Sequence, residues 1–339
     1  MAPTILITGA TGLIGFGILL ASLERGYNVR YTVRSEDKAR IVSSNPAVRE
    51  LAAGNRLSSI VIPDFTAEGA FDSAIKGATH IFHTSSPVAL PTYEPTIDIF
   101  EPTTKISANL LLAALEEPSV QRIVITSSIV ANLGLNPPSH TVSASTRAPL
   151  PDPFPVAFGG VYDAYILGKI VELHKIDQFV KAQNPHFTVS CVFPGYVFGR
   201  NELALDADMV QTQNGTNNFL IAGMLGGEAP MPIHGVFAHL DDVVEAQMRL
   251  AFPTPKMEAL REFGIAAKVD YDEIFGYVEK AFPKAVAKGV FRKGNVSTLA
   301  VEYDSSDLAT VLGGKARSFE SAVVDVAAQY LEKLGLEKA

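Results

Sequence analysis

Two hydrophobic rhythms alternate along the first two hundred residues. Short apolar runs, "TILIT" (4–8), "NVRYTV" (28–33), "LSSIVI" (57–62), "THIFH" (79–83), "RIVIT" (122–126) and "TVSCVF" (188–193), have the length of buried strands. Between them lie helical segments: an amphipathic one from about Gly12 to Arg25, one over "EPTTKISANLLLAALEE" (101–117) with apolar residues recurring at three and four, and one carrying "VYDAYILGK" (161–169). Strands separated by helices pair in parallel through right-handed crossovers. The pattern therefore predicts an α/β fold with a doubly wound, Rossmann-type parallel sheet.

After about Arg200 the rhythm breaks. "NGTNNFLIAGMLGGEAPMPIHG" (214–235) is rich in Gly, Asn and Pro. A helical pattern resumes in "LDDVVEAQMRLAF" (240–252), with Asp241 expected as its N-cap, and the chain closes on a helical "SFESAVVDVAAQYLEKLG" (318–335). No internal repeat or low-complexity linker intervenes. We expect a nucleotide-binding domain of residues 1–199 plus about 236–268, and a smaller C-terminal substrate-binding lobe of about 200–235 plus 269–339.

Composition narrows the partners. A chain of 339 residues with 47% hydrophobic and 19% charged residues is ordinary globular material, and a net charge of −8 gives no reason to expect nucleic acid or an anionic membrane. The single cysteine, Cys191, excludes an intrachain disulfide and sits in an apolar run, the setting of a buried, inert thiol. "MAPTILITGATG" lacks a basic n-region and no stretch has the apolar length of a membrane span, so a cytoplasmic protein is expected, monomer or homodimer. No metal site is expected.

The candidate chemistry begins at the first strand–helix turn. Gly9, Gly12 and Gly15 stand where a tight turn, close approach of a pyrophosphate to backbone N–H groups, and close helix–strand packing would each require glycine. Thr11, Leu13 and Ile14 of the same turn are further candidate cofactor contacts. The second strand ends without the acidic residue that an NAD site offers to the ribose. Arg34 and, just beyond, Lys38 take that place, and a guanidinium suits a 2′-phosphate, so NADPH/NADP+ is the expected cofactor. The alternative is a solvated arginine beside Glu36 and Asp37. Asp64 either accepts from the adenine amino group or caps the next turn, with Phe65 beside it. Thr84, Ser85 and Ser86 end the fourth strand, and Pro194 and Val197 follow the sixth; all five are expected near the cofactor. His239 is expected to be structural.

The fifth strand ends in Ser127-Ser128, and about thirty residues later comes Tyr165-x-x-x-Lys169. On a helix Tyr165 and Lys169, four apart, lie one above the other on one face, whereas four residues on from Tyr162 stands Ile166. Together with "ITGATGLIG", "TVRSEDK", "IFHTSSP", "FPGYVFGR" and "FAHLDDVVEA", this resembles the extended branch of the short-chain dehydrogenase/reductase superfamily, and within it the dihydroflavonol-4-reductase-like group. The resemblance covers nearly the whole chain. It implies that Ser128 binds the substrate oxygen, Tyr165 donates the proton, and Lys169 binds the nicotinamide ribose and eases the tyrosine's ionisation. A charge about 4 Å away is worth up to about 4 kcal/mol at an effective dielectric of 20. Two positions depart from the family pattern: Gly168 stands where relatives carry Ser or Thr, and Ile106 where they carry Gly.

Function follows as NADPH-dependent reduction of an aldehyde or ketone to an alcohol. A sugar-nucleotide epimerase or dehydratase is the alternative. However, such dehydratases show Asp-Glu where this chain has Ile129-Val130, and commonly a shorter interval than the 37 residues between Ser128 and Tyr165. The insert before the tyrosine carries Phe154 and Phe158. With Ser86, Tyr162, Tyr196, Met209 and Phe219 as further pocket candidates, it suggests an apolar or aromatic carbonyl substrate. A non-catalytic NAD(P)-sensing regulator of the NmrA-like kind would keep the glycine turn but lose the tyrosine that this chain retains.

Overall fold

The computed structural model describes residues 2–52, 54–152, 157–212 and 215–336; Phe154 lies outside them. Its centre is a seven-stranded parallel sheet. In chain order the elements that matter here are β1 (Thr4–Thr8), α1 (Leu13–Glu24), β2 (Asn28–Val33), α2 (Glu36–Ser43), β3 (Leu57–Val61), β4 (His80–His83), α3 (Glu101–Leu115), β5 (Arg122–Thr126), α4 (Val161–Gln183), β6 (Thr188–Pro194) and β7 (Tyr196–Phe198). They continue with α5 (Asn217–Leu225), β8 (Ile233–His234), β9 (Val236–His239), α6 (Leu240–Ala251), β10 (Glu262–Ile265), β11 (Ala267–Lys268) and α7 (Phe319–Lys333). The sheet order is β10-β6-β5-β4-β1-β2-β3, and every pair in it is parallel.

The expected doubly wound arrangement follows from alternation within each strand. Ile5 and Ile7 of β1 enter one core with Phe16 and Leu19 of α1 and Val243 of α6, whereas Leu6 enters the other with Leu110 of α3 and Leu173 of α4. Strands buried on both faces read as unbroken apolar runs for this reason. A third core, built from residues between Phe198 and Leu331, gathers the α5 and α7 helices around Phe198, Tyr271 and Phe319. Past the ends of β6 and β10 the chain continues into a small second sheet, β11-β9-β7. No helix among the described residues is long and apolar enough to cross a membrane.

Two expectations are corrected. The seventh strand, β10, was not visible as an apolar run because "EFGI" carries a glutamate and a glycine in four residues. Asp241 is not the N-cap of α6. His239 is, accepting from the Asp241 backbone N–H through its ring Nδ1 at 3.2 Å, while Asp241 lies in the first turn. An extended residue with any acceptor aimed at the second or third amide serves as a cap. This buried histidine has the structural position expected of it.

The β1–α1 turn is held by approaches only glycine allows. A Cβ on Gly15 would lie 2.2 Å from the Gly9 carbonyl oxygen. Gly15→Ala should therefore destabilise the protein by about 1–3 kcal/mol, as overpacking does. Gly276→Ala, on a helix with nothing within 4 Å, should be neutral or stabilise by about 1 kcal/mol. Urea unfolding of both variants checks the contrast, and equal effects would show that the turn can relax.

Candidate active site

Strand ends β1, β2, β3 and β4 open onto a cleft of about 430 Å3 lined by Gly9, Thr11, Gly12, Arg34, Lys38, Asp64, Phe65, Thr84, Ser85 and Ser86. Gly9 has φ +81°, and a Cβ there would meet Thr84 Oγ1 at 2.5 Å and the Ser85 amide nitrogen at 2.8 Å. The turn and the end of β4 thus touch backbone to backbone, with the Gly12 amide bonded to the Gly9 carbonyl and the Thr84 and Ser85 amides bonded to Thr8. The remaining turn residues are not brought to its wall. Leu13 lines a separate cavity beside Leu240, Ile14 packs on the core, and Gly15 serves the helix–strand contact.

At the far end of this cleft Arg34 and Lys38 are exposed. Neither makes an ion pair among the described residues, since Asp37 is taken by Arg40. Asp64 caps its own turn: its Oδ1 accepts from the Thr66 amide at 2.8 Å and hydroxyl at 2.7 Å, and these bonds hold its carboxyl below the usual range. Two hydroxyls on the cleft wall, Thr32 Oγ1 and Ser86 Oγ, are buried without a hydrogen-bond partner. Orphaned buried donors in a folded protein call for an explanation. A glycine-built turn, unpaired cations and waiting hydroxyls fit a phosphate-bearing dinucleotide.

A second cavity, of about 410 Å3, adjoins it, and Val88 lines both. Ser128, Tyr162, Tyr165, Tyr196 and Phe219 face this second void. Strand alternation turns Ser128 into it, whereas Ser127 points inward with its Oγ buried and unpartnered. Pro194 and Val197 are buried at the ends of β6 and β7, and the wall between them is Gly195 and Tyr196. Ser86 lies in the cleft rather than here. Met209 is exposed elsewhere, and Phe158 packs against Phe100, ring centroids 5.1 Å apart, in a separate apolar cluster.

Lys169 lies beneath Tyr165 and is 2% exposed. Its Nζ is 2.8 Å from Glu172 Oε2, itself 2% exposed. Burial disfavours the ammonium, but the Glu172 carboxylate and the Tyr165 phenol outweigh it and leave the Lys169 pKa raised. Burial pushes the Tyr162 and Tyr196 phenols up, so both remain neutral. Gly168 is where α4 meets α3: a Cβ there would be 3.2 Å from the Thr103 side chain, so a larger residue at this departure from the family pattern would press on Thr103. Ile106, the other departure, is buried in the core and reaches the cleft wall.

Sequence reasoning missed several wall residues: Leu90 from the segment after β4, and Thr216, Asn218, Glu228, Met231 and His234 from the Gly/Asn/Pro-rich stretch. That stretch has no period to read, and only its packing on Tyr196 and Phe198 brings it to the site.

Behind the site His83 is fully buried, its Nδ1 2.7 Å from Thr8 Oγ1. Burial, with the Lys169 charge, lowers its pKa to about 3; burial and Arg122 lower that of His80 to about 4. Unfolded, each binds a proton near pH 6.5. As pH falls below 6.5 the unfolded chain gains protons that the folded chain refuses. Stability should then drop by about 1.4 kcal/mol per pH unit for each group, until the folded histidines protonate near pH 4 and 3. Urea unfolding from pH 6.5 to 4.5 should show a shallower slope for His83→Asn, and an unchanged slope would mean His83 is not held neutral.

Comparison with known proteins adds relatives. The NmrA-like family model matches residues 1–142, the nucleotide half, and stops short of Tyr165. "NAD-dependent epimerase/dehydratase ALT6" of Alternaria alternata is 36% identical, covering 92% of this chain and 93% of its own length. "Ketoreductase CTB6" of Cercospora beticola is 30% identical over 97% and 95%. The NADPH complex of yeast methylglyoxal/isovaleraldehyde reductase Gre2 superposes with a TM-score of 0.82 at 22% identity, over 98% of this chain and 99% of that one. With full-length relatives of this kind, the chain belongs to the extended short-chain dehydrogenase/reductase family.

Proposed function

We propose that this protein is an NADPH-dependent reductase that turns an uncharged, largely apolar or aromatic ketone or aldehyde into its alcohol. One observation carries the reading. The cavity holding Ser128 and Tyr165 has no Lys or Arg among its described lining residues, while the adjoining cleft carries two unpaired cations. A sugar nucleotide would need cations for its pyrophosphate on the substrate side. Relatives named ketoreductase and NADPH-dependent methylglyoxal reductase support carbonyl reduction, although others are named NAD-dependent. Arg34, with no acidic residue at the end of β2, favours NADPH in this chain.

The roles divide by position. Bound NADPH supplies the hydride. Ser128 Oγ holds the carbonyl oxygen, and Tyr165 Oη gives it a proton. Lys169 Nζ spends one donor on Glu172 and has two left for the ribose hydroxyls and the phenol. The apolar walls exclude water, which strengthens each of these interactions. The lobe of about 200–235 and 269–339 closes the substrate side, and the remainder binds the cofactor.

Arg34→Ala should weaken NADPH about 10–100-fold, the loss of hydrogen bonds to a charged group, and leave NADH within about twofold. Fluorescence titration decides this, and equal wild-type affinity for the two would refute the assignment.

The reaction class is tested with 4-deuterated NADPH and a panel of ketones and aldehydes. The label should appear on the carbinol carbon with one NADPH consumed per alcohol, and Tyr165→Phe should cut the rate about 10²–10⁴-fold while Tyr162→Phe retains substantial activity. Turnover of a sugar nucleotide without net NADPH loss, and of no simple carbonyl, would overturn the reading.

A further inference from the structure

The small lobe contributes one imidazole to the substrate cavity. His234, on β8, lines it together with Thr216, Asn218 and Met231. Its placement is fixed by backbone: β8 pairs in parallel with Thr298–Leu299, and Tyr271 Oη donates to the His234 carbonyl at 2.9 Å. Tyr196, on the neighbouring strand β7, lines the same cavity. The ring therefore lines the same cavity as Ser128 and Tyr165.

The ring's own bonding is incomplete. Nδ1 is buried with no hydrogen-bond partner. An unpaired buried N–H is the rarer and costlier state for a polar atom than an unpaired lone pair. The proton accordingly belongs on Nε2, which makes no hydrogen bond among the described residues. Burial lowers the pKa of this histidine, so the ring is neutral at pH 7. The cavity thus offers a neutral N–H donor in a mainly apolar wall, besides Ser128 and Tyr165. A lone ketone uses Ser128 and Tyr165 and leaves this donor unanswered.

We propose that His234 reads the substrate, donating from Nε2 to a second, uncharged acceptor oxygen, so that keto esters, diketones and hydroxyketones are preferred over lone ketones. This rests on the reductase reading above and adds to it the identity of the second contact. Glu228 on the same wall, with no cation to offset it in the cavity, disfavours anionic versions of these compounds.

The test compares ethyl 3-oxobutanoate with 2-heptanone, which has the same chain length but no second oxygen, in wild type, His234→Phe and His234→Gln. Phenylalanine keeps the ring and removes the donor; glutamine places an amide N–H near the position of Nε2. Because each substrate is its own reference across the variants, the keto ester's greater intrinsic reactivity cancels. His234→Phe should lower kcat/KM about tenfold for the keto ester and leave 2-heptanone within about twofold. His234→Gln should recover most of the loss, with the NADPH dissociation constant unchanged throughout. Equal losses on both substrates, or no loss on either, would overturn the role of His234 while leaving the reductase reading intact. A wild type that binds NADPH but reduces neither compound would instead sink that reading, and this inference with it.

Discussion

A lysine side chain that is 2% exposed has to be balanced by its surroundings, and the arrangement of α4 follows from how Lys169 is balanced. Moving an ammonium into a protein interior costs several kcal/mol unless a counter-charge and hydrogen bonds replace its water. Glu172, three residues on, supplies the carboxylate at 2.8 Å, and Tyr165, four residues back, supplies a phenol. All three come from one helix, so their spacing is fixed by its pitch. What the rest of the fold must do is keep water away from the charged pair and leave Tyr165 open to the cavity.

The packing around α4 does both. The helix lies against α3, close enough at Gly168 that Thr103 occupies the space a larger side chain would need. His83, from the end of β4, fills the buried side as a neutral ring because burial disfavours its charged form and the Lys169 charge adds to that. Tyr165 itself is only partly buried and borders the void. The same helix thus presents an insulated charge to the core and a phenol to the cavity.

The two adjoining voids differ in chemistry for a topological reason. The cleft beside Arg34 is made where parallel strands end and helices begin, so its walls include glycines, short hydroxyl side chains and the two cations after β2. The cavity beside Tyr165 is walled on one side by residues of the 215–234 stretch, among them Phe219, Ala222, Pro230 and Met231. Polar and apolar walls are thus segregated, with Arg34 and Lys38 on the cleft and no Lys or Arg among the described residues lining the cavity that holds Tyr165.

Much of this was written in the chain itself. Short apolar-rich runs marked six of the seven sheet strands, the central ones most clearly because burial on both faces leaves few polar positions. The glycine turn, Arg34, Ser128 and the tyrosine–lysine pair were legible because each lies within or at the end of a regular element, where spacing fixes direction. Other features had no local signature. Glu172 was invisible as Lys169's partner, since a glutamate on a helix reads as a solvated residue until its burial is known. The sequence could not exclude Phe158 or Met209 from the pocket, nor include Leu90, Thr216, Asn218 and His234. Those side chains sit in or beside irregular segments whose direction is set by contacts far along the chain. Local periodicity therefore determined most of the sheet, the main helices and the spacing of the candidate residues Ser128, Tyr165 and Lys169. Tertiary packing alone decided which loop residues form the substrate wall, because an aperiodic segment takes its conformation from what it packs against.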